Sequence, residues 1–168
     1  QKDLVRAGAI PPLVLLLRSG SSNAQVHASH AIAHLAKGNP SGQIAISSSG
    51  AIPLLMVLLN SGKAQMPAAG AIAQLAHANA KNQAAIADAG GIAPLLSLLN
   101  VTNTETNVKA AEALLELAAG NPSTQAAIAR AGGIGPLLAM LPSRNMQAQS
   151  YGAGALAQLA RNNQENQE

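Results

Sequence analysis

The chain has 168 residues, of which 48% are hydrophobic and 10% are charged, and its formal net charge is +3. This length and apolar content suit one domain with a sizeable core, and the absence of cysteine excludes a disulfide framework, a thiolate zinc site and a cysteine nucleophile. The small, scattered charge argues against nucleic-acid binding, and the longest apolar run, from Ala51 to Leu59, is far shorter than the roughly 20 residues that span a bilayer.

One phrase recurs four times along the chain. Its copies read LVRAGAIPPLVLLL, ISSSGAIPLLMVLL, IADAGGIAPLLSLL and IARAGGIGPLLAML. Each copy contains a turn glycine, and these glycines are Gly8, Gly50, Gly90 and Gly132. A second phrase keeps step as AIAHLA, AIAQLA, ALLELA and ALAQLA, and the joints between copies carry Asn39, Asn79, Asn121 and Asn163. Four copies in step indicate a repeat protein.

Each copy predicts three helices, the third copy most clearly. Residues 81–89 form a short first helix, which Gly90 and Gly91 end because a sharp turn needs a residue that tolerates positive φ. The second helix follows at once, with Pro94 in its first turn, where the missing N–H of proline costs nothing. No window shows the period-two alternation of a strand, so the sequence predicts an all-α fold.

The third helix of this copy follows a polar loop over 100–103. Thr104 is its predicted N-cap, because a threonine hydroxyl can accept hydrogen bonds from the free N–H groups there, and Ala119 is its expected end. One three-helix unit cannot bury its apolar face alone, so the copies must stack. We expect a single solenoid domain over 1–168, with repeats at about 1–38, 39–78, 79–120 and 121–161 and the start of a further repeat at 162–168.

The phrases NQAAIADAGGIAPLLSLL and AAEALLELAAGNP resemble the armadillo repeat, and the resemblance extends over all four copies. It implies a right-handed α-solenoid whose third helices line a concave groove. In that family the groove usually holds an extended segment of a partner protein. An Asn on each third helix clamps the backbone of that segment, and Trp side chains form pockets beside it. We also expect an intracellular location, in the cytoplasm or the nucleus.

This chain departs from the family pattern at the clamp. The Asn positions fall on His34, Gln74, Glu116 and Gln158, and the Trp positions fall on His30, Gly70, Glu112 and Gly154. Each lost backbone hydrogen bond is worth about 1 kcal/mol, so weak or transient binding is expected. The predicted partner-binding groove consists of His30, His34, Gln74, Glu112, Glu116 and Gln158.

Two clusters on the predicted third helices suggest specific chemistry. His27, His30 and His34 share one helix face, which indicates a contact patch; a metal pair is the alternative, although no Asp, Glu or Cys completes a ligand set nearby. Glu112 and Glu116 indicate an acidic spot that receives Lys or Arg from a partner. The alternative for these glutamates is a solvated helix face, supported by an ion pair between Glu105 and Lys109.

The sequence shows no nucleophile–base set, no acid–base pair and no complete phosphate loop, so we predict no enzyme, no cofactor and no metal site. Two functions remain. The first is a module that binds a protein or peptide segment in the groove, and the second is a scaffold or spacer that makes contacts through its ends, loops or convex face. Neither end has the polar cap that solenoids need. We therefore expect an interior segment of a longer array, with possible self-association through its uncapped ends.

Overall fold

The computed structural model describes residues 4–5 and 7–161, and within these residues all regular structure is helical. The helices follow the sequence repeat. The first copy contains α1 (Ile10–Ser19) and α2 (Ser22–Ala36), and the second contains α3 (Pro40–Ser48), α4 (Ala51–Leu58) and α5 (Gln65–Ala76). The third copy contains α6 (Ala80–Asp88), α7 (Ile92–Leu98) and α8 (Thr104–Ala118). The fourth copy contains α9 (Pro122–Arg130), α10 (Ile134–Ala139) and α11 (Met146–Ala160). The start of a fifth copy predicted at 162–168 lies outside the described residues.

Asparagine side chains set the starts of many helices. Asn39, Asn79 and Asn121 each accept a hydrogen bond from the N–H three residues later, at the starts of α3, α6 and α9. The prediction that Thr104 caps α8 is wrong. Asn103 is the cap, because its Oδ1 accepts from the N–H of Thr106 at 2.9 Å, and Thr104 is the first residue inside the helix.

In the third copy, the turn between the first and second helices contains two glycines, which are needed for different reasons. Gly90 has φ +77°, and a Cβ added there would meet nothing within 4 Å, so the position needs glycine for its backbone conformation. Gly91 has an ordinary φ of −68°, but a Cβ there would lie 2.9 Å from the carbonyl oxygen of Ile86 and 2.8 Å from Sδ of Met56. The predicted break at these two glycines is therefore confirmed, with Gly91 providing the close approach.

The third helices of successive copies pack side by side, α2 against α5, α5 against α8 and α8 against α11. The inward leucines of these helices are all buried, and they are Leu35, Leu75, Leu117 and Leu159. Alanine fills much of the space between neighbouring helices, since five alanines of α5 are fully buried. One continuous core thus passes through all four copies, as the stacking argument predicted.

Buried glutamines join each repeat to the next. The side-chain amide of Gln43 donates to two carbonyl oxygens at the end of α5, at 2.8 and 3.0 Å, and its Oε1 accepts from Nδ2 of Asn79 at 3.1 Å. Gln83 and Asn121 repeat this arrangement at the end of α8, with an amide-to-amide distance of 3.1 Å. These side chains satisfy carbonyl groups that a helix end leaves without partners, which explains why Gln and Asn recur at the joints.

The two end faces of the described stack expose leucines that are buried elsewhere. Leu16 is 41% exposed, whereas its equivalent in the second copy, Leu58, is 2% exposed. Leu138 is 50% exposed, whereas Leu96 in the third copy is 7% exposed and lies against Gly133 of the following repeat. An apolar hollow of about 400 Å³ opens beside Leu16.

Within the described residues, no single helix is both long and apolar enough to cross a membrane. The pair α3 and α4, bent by 83°, passes the same length and composition test when its two helices are taken together.

Candidate functional site

Every third helix presents polar or small residues in three rows, and we call this surface the third-helix face. The first row is His27, Pro67, Lys109 and Tyr151, the second is His30, Gly70, Glu112 and Gly154, and the third is His34, Gln74, Glu116 and Gln158. The rows lie together because residues three, four and seven apart share one side of an α-helix. All six predicted groove residues belong to the second and third rows.

A polar network joins the second and third repeats across this face. Nε2 of Gln74 donates to Oε1 of Glu112 at 3.2 Å, and Nζ of Lys109 lies 2.7 Å from Oε2 of the same carboxylate. The alternative interpretation of these glutamates assumed an ion pair between Glu105 and Lys109, but Lys109 contacts Glu112 instead. Glu112 is only 9% exposed and needs a counter-charge, whereas Glu105 is exposed to water.

The second glutamate of the predicted acidic spot also has a partner within the chain. Nδ1 of His77, just after α5, lies 2.9 Å from Oε2 of Glu116, so that the imidazole N–H donates to the carboxylate. Glu112 and Glu116 therefore lie on the third-helix face as predicted, and each is already bound by a side chain of this protein.

The three histidines of α2 lie on the side away from the core, as predicted. His27 and His34 are exposed and His30 is half-buried, while Ala28, Ile32 and Leu35 face inward. Burial lowers the pKa of His30, and the neighbouring His34, His27 and Lys109 lower this pKa further by charge repulsion. Among residues 4–5 and 7–161, no group of three or more His, Cys, Asp or Glu side chains is arranged to hold a metal ion.

A pocket of about 160 Å³ lies between α2 and α5. His30, His34 and Lys37 line it from α2 and the residue that follows, and Gln74 lines it from α5. Gly70 also lines the pocket, and a Cβ added there would lie 3.6 Å from Cδ of Lys109, which reaches over from α8. Further lining comes from Ala33, Met66 and Pro67. The structure thus brings three of the six predicted groove residues, His30, His34 and Gln74, around one pocket.

Gln158 stands apart from this pocket and from the network of Glu112. Its Oε1 is buried and has no hydrogen-bond partner within the part of the chain that the structure describes. The same helix carries Tyr151, the only aromatic residue of the chain. Burial raises the pKa of Tyr151, and the nearby carboxylate of Glu112 raises it further. At Gly154, the side chain of Leu115 fills the space, 3.3 Å from the place of a Cβ.

The model for the Armadillo/beta-catenin-like repeat matches residues 1–37 and 79–119. A designed armadillo repeat protein, YIII(Dq)4CqI, is 31% identical, with a TM-score of 0.93 over 98% of this chain and 70% of its own. The chain belongs to the armadillo repeat family. Its fold is accordingly a right-handed α-solenoid of armadillo-type three-helix repeats, as the sequence resemblance implied.

Two further structures resemble this armadillo chain. A designed armadillo repeat protein, YIII(Dq.V1)4CPAF, in complex with the peptide (KR)4 is 30% identical, with a TM-score of 0.92 over 98% of this chain and 70% of its own. An engineered protein from a structural genomics consortium is 36% identical, with a TM-score of 0.90 over 94% of this chain. This chain spans 65% of the length of that engineered protein. A search of curated proteins found none that matches this chain.

The armadillo structure adds four residues that the sequence reasoning did not place on this face. They are Lys37, His77, Lys109 and Tyr151. Lys109 and Tyr151 occur three residues before the second row, and Lys37 and His77 occur three residues after the third row. The same helical spacing that selected the predicted groove residues would have selected these four as well.

Proposed function

We propose that this chain is a non-catalytic protein-interaction module whose third-helix face binds an extended segment of a partner protein, weakly or transiently. The observation that carries the proposal is the continuity of this face, on which α2, α5, α8 and α11 pack side by side with hydrogen-bonding side chains in line. The designed armadillo protein in complex with (KR)4 supports it, since it is similar over nearly the whole chain.

The expected weakness follows from the side chains at the clamp positions. The side-chain amide of Gln74 already donates a hydrogen bond to Glu112, so fewer of its hydrogen-bonding groups are available to hold a peptide backbone. Glutamine also loses more rotamer freedom than a shorter amide when it is fixed. Gly70 and Gly154 stand where the family's aromatic residues would offer roughly 150–250 Å² of contact each.

Gln158 supports the proposal because its side-chain oxygen is an acceptor that a bound peptide could use. A buried acceptor without a partner costs about 1–3 kcal/mol, and an N–H group of a bound peptide would remove that cost once the side chain turns toward it. Gln158 occupies the same row as Gln74, so one peptide could pass both amides.

The test is to pan a random-peptide library against the purified chain and to measure the hits again on a variant with His34, Gln74, Glu116 and Gln158 changed to alanine. A matched control changes Ser48, Lys81, Asp88 and Ser123, which are exposed on first helices, to alanine. Circular dichroism checks that both variants fold.

We expect hits that bind the parent chain and the control but not the groove variant. Hits that bind all three proteins equally, or no hits, would overturn the proposal. Either result would favour the scaffold alternative, in which contacts are made through ends, loops or the convex face.

A further inference from the structure

We propose that the pocket between α2 and α5 binds an acidic side chain, aspartate or glutamate, of an extended partner peptide. We call it the histidine–lysine pocket and define it by His30, His34, Lys37, Gly70, Gln74 and Lys109. The inference rests on the proposed function, because it assigns a chemistry to one position on the third-helix face.

The basic side chains of the histidine–lysine pocket are largely without partners among the described residues. Lys37 and His34 are exposed, and within the described residues neither side chain makes a hydrogen bond or an ion pair. The imidazole of His30 likewise has no partner in the described part of the chain. Lys109 holds Glu112 with one of its three N–H donors, which leaves two for another acceptor. No carboxylate of the described residues lines the pocket itself.

The carboxylates of the third-helix face, in contrast, already have partners within the chain. Glu112 is held by Lys109 and Gln74, and Glu116 is held by His77. A basic side chain of a partner would have to displace these groups, whereas an acidic one would meet Lys37, which has no partner among the described residues, and two remaining N–H donors of Lys109. This difference favours an acidic occupant and reverses the sequence-based expectation that the face receives Lys or Arg.

The shape of the pocket supports the same occupant. Gly70 contributes no side chain, so Lys109 can lie over it from α8, 3.6 Å from the place of a Cβ, and about 160 Å³ of space remains in the pocket for a short side chain. Met66 and Pro67 form part of the wall and carry no charge. An anion between this wall and the lysines is partly shielded from water, which strengthens its attraction to them.

Protonation should add to this selectivity. The titratable groups around His30 are His27 and His34 on its own helix, Lys37 after that helix, and Lys109 on α8 with Glu112 bound to it; α5 contributes none. Burial, and then repulsion from His34, His27 and Lys109, disfavour the charged form of His30, and a bound carboxylate would favour it. An acidic peptide should therefore bind more tightly at pH 6 than at pH 8.

The experiment compares three fluorescein-labelled peptides, (Glu-Ser)4, (Gln-Ser)4 and (Lys-Ser)4, by fluorescence anisotropy at pH 6 and pH 8. We expect (Glu-Ser)4 to bind most tightly, with higher affinity at pH 6. Lys37→Gln should weaken its binding about two- to fivefold, the range measured for exposed ion pairs. Lys81→Gln removes the same charge from an exposed position on α6 and should leave the affinity unchanged.

The outcomes separate this inference from the proposed function. If (Gln-Ser)4 or (Lys-Ser)4 binds as tightly as (Glu-Ser)4, or if Lys37→Gln and Lys81→Gln behave alike, the inference is wrong. The proposed function then still stands, provided that the fourfold groove variant abolishes binding of the peptide that does bind. If none of the peptides binds the parent chain and panning gives no hits, both fall together.

Discussion

The side-chain amide nitrogen of Gln74 lies 3.2 Å from Oε1 of Glu112, so two neighbouring repeats are joined by side chains across the third-helix face. The other oxygen of this carboxylate lies 2.7 Å from Nζ of Lys109. Glu112 therefore neutralises the lysine that reaches over Gly70 and at the same time occupies the amide of a clamp position. Whether Lys109 offers its charge to a ligand therefore depends on this carboxylate.

Replacing Glu112 by glutamine should increase the affinity for an acidic peptide. The substitution keeps the size of the side chain but releases Lys109 from its ion pair, so we expect (Glu-Ser)4 to bind about two- to fivefold more tightly in the anisotropy assay. Glu105→Gln removes the same charge from an exposed site at the start of α8 and serves as the control. An unchanged or lower affinity in Glu112→Gln would show that Lys109 does not contribute to binding.

Gln83→Ala should destabilise the fold strongly. This glutamine is almost fully buried, donates to carbonyl oxygens at the end of α8 and accepts from Asn121. Alanine would leave these groups unpaired and a cavity behind, so the free energy of unfolding should fall by about 2–4 kcal/mol in urea denaturation. Gln147→Ala, at an exposed position, should change it by less than about 0.5 kcal/mol. Similar values for the two variants would mean that the joint contributes little.

Two glycine substitutions should act in opposite directions. Gly135 lies in α10 with nothing within 4 Å of a Cβ, so Gly135→Ala should raise the free energy of unfolding by about 0.5–1 kcal/mol. At Gly91 a Cβ would collide with the backbone of Ile86, so Gly91→Ala should lower it by about 1–3 kcal/mol. Thermal and urea denaturation check both. A destabilised Gly135→Ala or a neutral Gly91→Ala would contradict the packing described.

His30 should titrate below 6.5, since burial and then the neighbouring His34, His27 and Lys109 lower its pKa. Below about pH 6.5, the folded state therefore binds fewer protons than the unfolded state, and His30 lowers the free energy of unfolding. At higher pH the imidazole is neutral in both states, so His30 does not change the free energy of unfolding through its charge. NMR titration of the imidazole resonances measures the pKa directly. His34→Gln should raise this pKa by removing a repelling charge, whereas an unchanged or lower value would show that the two rings do not interact.

In a protein that consists of residues 1–168 alone, the end faces of the described stack should associate head to tail in solution. Leu16 and Leu138 are exposed at opposite ends of the described stack, and their equivalents in interior copies are covered by neighbouring repeats. Because the two faces differ, their contact does not close into a dimer and should produce a concentration-dependent series of oligomers in sedimentation-velocity runs. Leu16→Glu or Leu138→Glu should suppress the series.

Val57→Glu provides the control for this prediction, since Val57 is exposed on α4 in an interior copy. It should leave the oligomer series intact. A parent chain that remains monomeric at all concentrations would contradict the prediction.

The sequence predicted the helical architecture well because the residues that end helices have few alternatives. Gly90 needs a positive φ, and Pro94 lies in the first turn of α7 as predicted, where the missing N–H of proline costs nothing. The error at Thr104 arose because Asn103 and Thr104 are both good caps and adjacent. Only the coordinates show which of them accepts a hydrogen bond from the backbone.

The candidate site was less predictable than the fold. Helical spacing placed the six predicted groove residues on one face, but it could not show which cation each carboxylate binds. Lys109 can reach Glu105 or Glu112 by its position in α8, and the choice depends on the burial of Glu112. His77 contacts Glu116 from a different repeat, 39 residues away, so spacing within one helix could not reveal that pair.

The second row of the third-helix face alternates between large and absent side chains, in the order His30, Gly70, Glu112 and Gly154. The size of the side chain in this row therefore repeats only in every second copy. A peptide shifted by one repeat would place the groups that had lain beside the glycines against His30 and Glu112. Although the repeats are near-copies, the third-helix face therefore distinguishes one peptide register from the next. Steric fit would hold a ligand that covers three repeats in one register.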